Sequence, residues 1–152
     1  MDKELFVREM EGCSGMLYRV AYAILRNDDA CMDAMQETAL KAWEKRHTLR
    51  EQRYFRTWVT RICINTCRSM QRAKGRLISI EDVPEPAFSP PDPALDLALA
   101  ALPDNLRLPL VLCCCEGMTY AEVAAALRLP VATVRGRIHR AKLELRKELD
   151  AE

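Results

Sequence analysis

The chain has 152 residues, 49% of them hydrophobic, and carries 23 Lys and Arg against 22 Asp and Glu, for a formal net charge of +1. That length buries one modest core or two small ones. No stretch approaches the run of about 18 apolar residues that spans a bilayer, and MDKELFVREMEGC at the start lacks the apolar segment of a signal peptide. These features predict a cytosolic protein without membrane insertion.

Ala, Leu, Arg, Glu and Met fill windows of helical period and only five glycines occur, so the fold class read from the sequence is all-α, as two small helical domains. Seven cysteines form an odd set without an export signal, which points to reduced, mostly buried thiols rather than disulfides. His47 and His139 are the only histidines and Cys63 with Cys67 is an isolated CxxxC, so neither a metal nor a cofactor is expected. Charge is segregated along the chain. Residues 50–76 carry eight bases against one acid, residues 81–104 none against six, and residues 131–147 six against one.

In chain order, DDACMDAMQETALKAWEK predicts a helix with Met32, Met35, Ala39 and Trp43 toward the core. Asp33, Glu37, Leu40 and Glu44 fall on another face. An exposed Leu among acids suggests a partner surface, against the plainer reading of a solvated acidic face. A second helix from about Phe55 to Arg72 puts Phe55, Val59, Ile62, Cys63, Thr66 and Met70 on its apolar stripe. About a quarter-turn away lie Trp58, Arg61, Asn65, Arg68 and Arg72. A ring, an amide and three guanidinium groups suit a separated nucleic-acid strand, whose bases stack while its phosphates are neutralised; the alternative makes Trp58 simply core.

EDVPEPAFSPPDPALD holds five prolines and predicts an extended linker, residues 77–94, between domains 1–76 and 95–152. Beyond it, Leu106–Glu116 reads as a helix closed by Gly117, with Pro109 in its first turn. Thr119 and Glu122 match a capping box opening a helix to about Leu127. Residues 128–130 turn the chain into a longer helix from Val131 to about Leu149, which is helix-turn-helix geometry. On that last helix Val134, Ile138, Ala141 and Leu145 form the packed stripe. The opposite side carries Ala132, Arg135, Gly136, His139 and Arg140, with Arg137 nearer the core edge. Two small residues permit close approach and three donors can reach phosphates or base edges, which predicts a helix lying in the major groove of DNA.

The C-terminal stretch resembles region 4 of bacterial extracytoplasmic-function (ECF) sigma factors. The matching residues are Leu102-Pro103, Arg107, Glu116-Gly117, Tyr120, Glu122-Val123-Ala124, Leu127, Pro130, Thr133-Val134, Arg137 and His139-Arg140-Ala141. YFRTWVTRICINTCRSMQRAKGR is similar to sigma regions 2.3 and 2.4 at Phe55-Arg56, Trp58, Ile62, Asn65 and Arg72, and Asp33, Gln36-Glu37-Thr38 and Trp43 match region 2.2. The resemblance covers nearly the whole chain. It implies a non-enzymatic initiation factor whose partners are core RNA polymerase, through the β′ clamp helices and β flap, promoter DNA and an anti-sigma factor. Asp33, Gln36, Glu37 and Leu40 would then dock on polymerase. Trp58, Arg61, Asn65, Arg68 and Arg72 would recognise and melt the minus-10 element. Ala132, Thr133, Arg135, Gly136, Arg137, His139 and Arg140 would read the minus-35 element.

The chain departs from the family pattern at Ala132, where Gly is usual, at Gly136, where Ser is usual, and at Ser69, where many members have Asp. At Ile64-Asn65-Thr66-Cys67 the chain resembles the subgroup reading INxC. An ordinary helix-turn-helix regulator would account for residues 95–152 alone. A thiol enzyme using Cys63, Cys67 or Cys113–Cys115 lacks a neighbouring His or Asp arrangement to activate a thiolate.

Overall fold

Asp2 opens the first helix, α1 (Lys3–Leu25), by accepting the Leu5 N–H on its carboxylate at 2.8 Å in the computed structural model, which describes residues 1–76 and 92–151. The helix stops at Arg26, which takes the left-handed conformation (φ 56°), returns its N–H to the Tyr22 carbonyl at 3.0 Å and lays its guanidinium over the Tyr22 ring. Asn27, the next residue, already caps α2 (Asp28–Glu44) through the Ala30 N–H at 2.8 Å. Two residues thus reverse the chain. Two short 3-10 turns, Arg46–Thr48 and Gln52–Tyr54, lead into α3 (Phe55–Arg76).

α1, α2 and α3 each pack on the other two, enclosing Phe6, Leu17, Val20, Phe55, Val59 and Ile64. The chain divides into two units, residues 1–86 and 87–152, and these helices build the first. The inward face of α2 is Cys31, Ala34, Thr38 and Ala42, not the row of larger residues expected from the sequence. Met32 is 49% exposed, while Met35, Ala39 and Trp43 are half-buried at the flanks. Small side chains let α2 approach its two neighbours closely; the bulkier row, one residue out of phase, does not fit there. Three buried threonines remain satisfied. Thr38, Thr60 and Thr66 donate to the carbonyls of Ala34, Arg56 and Ile62 at 2.6–2.8 Å, each four residues back.

Residues 77–91 of the expected linker lie outside the described residues. Its last two residues, Pro93 and Ala94, are helical rather than extended. Asp92 caps α4 (Pro93–Ala101) through the Leu95 N–H at 3.1 Å, and Pro93 occupies the first helical position, where its missing N–H costs nothing. Arg107, buried, ties the end of α4 to α5 (Asp104–Leu110). Its guanidinium donates to the carbonyls of Ala100 at 3.3 Å and Leu102 at 3.2 Å and to the Asp104 carboxylate.

The single helix expected over Leu106–Glu116 begins earlier, at Asp104, and changes type midway. Pro109 therefore sits in the second turn of α5, where it can donate nothing to the carbonyl four residues back. From Val111 to Cys115 the backbone widens into a π turn, with the Glu116 N–H bonding the Val111 carbonyl at 3.1 Å. Gly117 (φ 70°) then ends the segment, and the Met118 N–H closes on the Leu112 carbonyl at 3.0 Å. An αL glycine with a long closing bond is a Schellman-type stop, here stretched by the extra residue of the wide turn. Cys113, Cys114 and Cys115 lie on this turn, the first half-buried and the last two exposed, the exceptions in a set of mostly buried thiols. Cys13, Cys31, Cys63 and Cys67 are buried as expected.

The capping box forms as predicted. Thr119 accepts the Glu122 N–H at 3.1 Å, and the Glu122 carboxylate accepts the Thr119 N–H at 3.0 Å, opening α6 (Tyr120–Leu127). Arg128 closes α6 in the left-handed region (φ 56°), and α7 (Val131–Asp150) follows. α7 packs against α4, α5 and α6. Among the described residues no helix is long and apolar enough to cross a membrane.

Candidate nucleic-acid interface

Burial on α7 divides as the periodicity predicts. Val134, Ile138 and Ala141 are buried, and Leu145 is half-buried. Ala132, Arg135, Gly136, His139 and Arg140 are exposed, while Thr133 and Arg137 stand half-buried at the margin. The exposed face therefore presents three long donors around two residues without bulk. A Cβ built on Gly136 would meet nothing within 4 Å, so the face is open at its centre. Its chemistry fits a groove lined by phosphates and base edges.

On α3, Phe55, Val59, Ile62, Cys63 and Thr66 are buried and Met70 is half-buried, again the predicted stripe. Asn65, Arg68 and Arg72 are exposed, and Arg61 is half-buried. Arg72 donates to the Ser69 hydroxyl at 3.1 Å, which holds its guanidinium along the helix. Trp58 is half-buried and committed on two sides. Its indole N–H donates to Thr48 Oγ1 at 3.1 Å, and its ring leans on Phe55 at a centroid distance of 5.6 Å. The partial burial satisfies neither pure alternative: the ring is anchored in the unit yet keeps an outer edge.

The outer row of α2 is accessible. Asp33, Gln36 and Glu37 are exposed and Leu40 is 61% exposed, with Glu37 3.9 Å from Lys41 in an i,i+4 pair. An exposed pair of this kind adds only a few tenths of a kcal/mol to the helix, ~0.3–0.5. The acids are thus left available to an outside cation.

The connection between α2 and α3 was missed as part of the surface. Arg46 stacks over Trp43 at 3.8 Å, and Arg53 lies 4.8 Å from the ring of Tyr54, which is 51% exposed. An open cleft of about 470 Å³ beside it is lined by Glu9, Gln52, Arg53, Phe55 and Arg56. The signal was present in RHTLREQRYFR, where Arg53 and Arg56 flank Tyr54 and Phe55, but the segment has no helical period to draw attention to it.

Among the described residues no cluster of three or more His, Cys, Asp or Glu side chains is arranged to hold a metal ion. Burial holds the Cys31 thiol up at about 11. Cys67 is held well above the usual thiol range, first by its hydrogen bond to Cys63 and then by burial. Neither environment makes a thiolate nucleophile.

Residues 10–77 match the family Sigma-70 region 2 and residues 93–145 match Sigma-70, region 4. The ECF RNA polymerase sigma factor SigE of Mycolicibacterium smegmatis is 34% identical over 88% of this chain, which spans 57% of that protein's length. The RNA polymerase sigma-H factor of Pseudomonas aeruginosa is 33% identical over 77% of this chain and 72% of its own. A sigma factor RpoE from Bartonella quintana, solved in complex with the anti-sigma factor NepR, superposes with a TM-score of 0.83 at 25% identity, covering 97% of this chain and 98% of that one. A helix-turn-helix regulator would leave the match over residues 10–77 without explanation. Two sigma regions in their order, with relatives of this identity and coverage, establish that the chain belongs to the sigma-70 family, among its ECF sigma factors.

Proposed function

We propose that the protein binds core RNA polymerase and directs promoter-specific transcription initiation, through three separate surfaces. Asp33, Gln36, Glu37 and Leu40 dock on the polymerase clamp. Trp58, Arg61, Asn65, Arg68 and Arg72 engage the minus-10 element, together with the basic-aromatic connection around Tyr54. Ala132, Thr133, Arg135, Gly136, Arg137, His139 and Arg140 read the minus-35 element from the major groove. The observation carrying this reading is the exposure pattern of α7: the side opposite the buried Val134, Ile138 and Ala141 holds Arg135, His139 and Arg140 in solvent.

An anti-sigma factor belongs to the same proposal, supported by the Bartonella relative's complex with NepR. Run-off transcription tests the whole. Core polymerase mixed with the chain and genomic fragments should yield transcripts of discrete length that core alone does not make. Failure to co-purify with core, where a known sigma factor does, would overturn the proposal.

A further inference from the structure

We propose that the wide turn Val111–Cys115 is a thiol-modification site, at which Cys114 or Cys115 takes up a low-molecular-weight thiol by exchange with the corresponding disulfide. Of seven cysteines, Cys114 and Cys115 alone are exposed, and they stand next to each other. Cys13, Cys31, Cys63 and Cys67 are buried in the first unit, shielded from a polar reagent. Cys113 is half-buried, hydrogen-bonded to Cys114 and close enough to Lys142 on α7 to feel its charge, while burial raises its pKa. The turn therefore offers two adjacent exposed cysteines beside a half-buried one.

Backbone spacing disfavours an ordinary disulfide between adjacent members of the trio. Consecutive Cα atoms stand about 3.8 Å apart, inside the roughly 4.4 Å that an ordinary disulfide needs as a minimum. Cys114, whose neighbours in the trio are both adjacent to it, therefore draws its exchange partner from outside. In the step, the protein thiolate attacks one sulfur of the small disulfide. A protein–S–S–R bond forms as the reagent's S–S bond breaks, and the second half leaves as RS⁻ and takes a proton from water. The reagent is reduced as the protein thiol is oxidised, and no further oxidant is needed.

The probe is oxidised glutathione, incubated with the folded 152-residue chain, followed by acid quenching and peptide mass mapping. The expected result is an adduct confined to the peptide carrying residues 113–115, formed at least tenfold faster than any adduct on Cys13, Cys31, Cys63 or Cys67, and removed by dithiothreitol. In denaturant all seven cysteines should react. A Cys114→Ser, Cys115→Ser double variant with an unchanged circular dichroism spectrum should lose the adduct. Three results would each overturn the proposal: adducts spread evenly over the folded chain, an adduct persisting on this turn in the double variant and so on Cys113, or disulfide-linked dimers in place of adducts. None of these outcomes depends on the polymerase reading, because the assay contains neither DNA nor polymerase.

Discussion

If α7 reads DNA as proposed, its single residues should divide the labour of recognition by depth. Arg140 is exposed and Arg137 half-buried at the margin of the packed stripe, so the two should fail differently when truncated. Arg140→Ala is expected to weaken minus-35 binding by about 1–3 kcal/mol and to relax preference at one or two positions, if the guanidinium grips a base edge in bidentate fashion. A phosphate contact instead lowers affinity for all sequences alike and flattens the salt dependence; competition binding at several salt concentrations separates the two. Selection lost with Arg137→Ala in a folded protein, and untouched by Arg135→Ala and Arg140→Ala, would reject the reading face. Gly136 gives a second test. The space beyond it is empty and its backbone is helical, so Gly136→Ser should stabilise the protein by about 0.5 kcal/mol through helix propensity, visible as a higher Tm. Its hydroxyl, usual in the family, should leave minus-35 affinity equal or improved.

At the scale of helices, the caps and the packing faces make separable contributions. Thr119→Ala removes the acceptor for the Glu122 N–H at the start of α6 and should cost about 1 kcal/mol, read as a lower urea midpoint with an unchanged slope. Reversing Asp33 and Glu37 to Lys touches only the outer row of α2. The double variant should keep its helical content and lose only the weak Glu37–Lys41 pair, yet compete poorly for core polymerase. Undiminished competition would move the docking surface elsewhere. These elements also mark what the sequence could reveal. α6 and α7 were legible because Thr119 and Glu122 announce a start and because Val134, Ile138, Ala141 and Leu145 hold a clean period. The phase of α2 was misread because hydrophobicity ranks Met and Trp above Ala, Cys and Thr, whereas close helix packing selects for small size. The π turn was invisible for a different reason: LRLPLVLCCC is apolar almost throughout, so no period distinguishes a wide turn from an ordinary one. The start of α4 was concealed by its surroundings, since an Asp followed by Pro signals a helix but here closes a run of prolines.

For the whole molecule, a net charge of +1 conceals two basic segments separated by an acidic one. The acidic segment is expected to matter by charge rather than by exact sequence, threading a positive channel of polymerase. Glu81→Gln, Asp82→Asn, Glu85→Gln and Asp92→Asn together should impair run-off initiation at physiological salt; full activity would make the segment a plain tether. Asp92 needs this particular replacement. Its side chain caps α4, and Asn caps a helix about as well as Asp, so the variant removes charge without loosening the helix.

The small inward face of α2 has an evolutionary consequence. Cys31, Ala34, Thr38 and Ala42 lock the helix in place, whereas Met32, Asp33, Gln36, Glu37 and Leu40 point outward and take little part in folding. Under the proposed docking, substitutions in that outer row would be screened by the partner alone, and a lineage could retune its competition for a shared polymerase without solving its core again. Transplanting these five side chains between members of the family should carry relative affinity for core with them and leave the melting temperature of the recipient nearly unchanged.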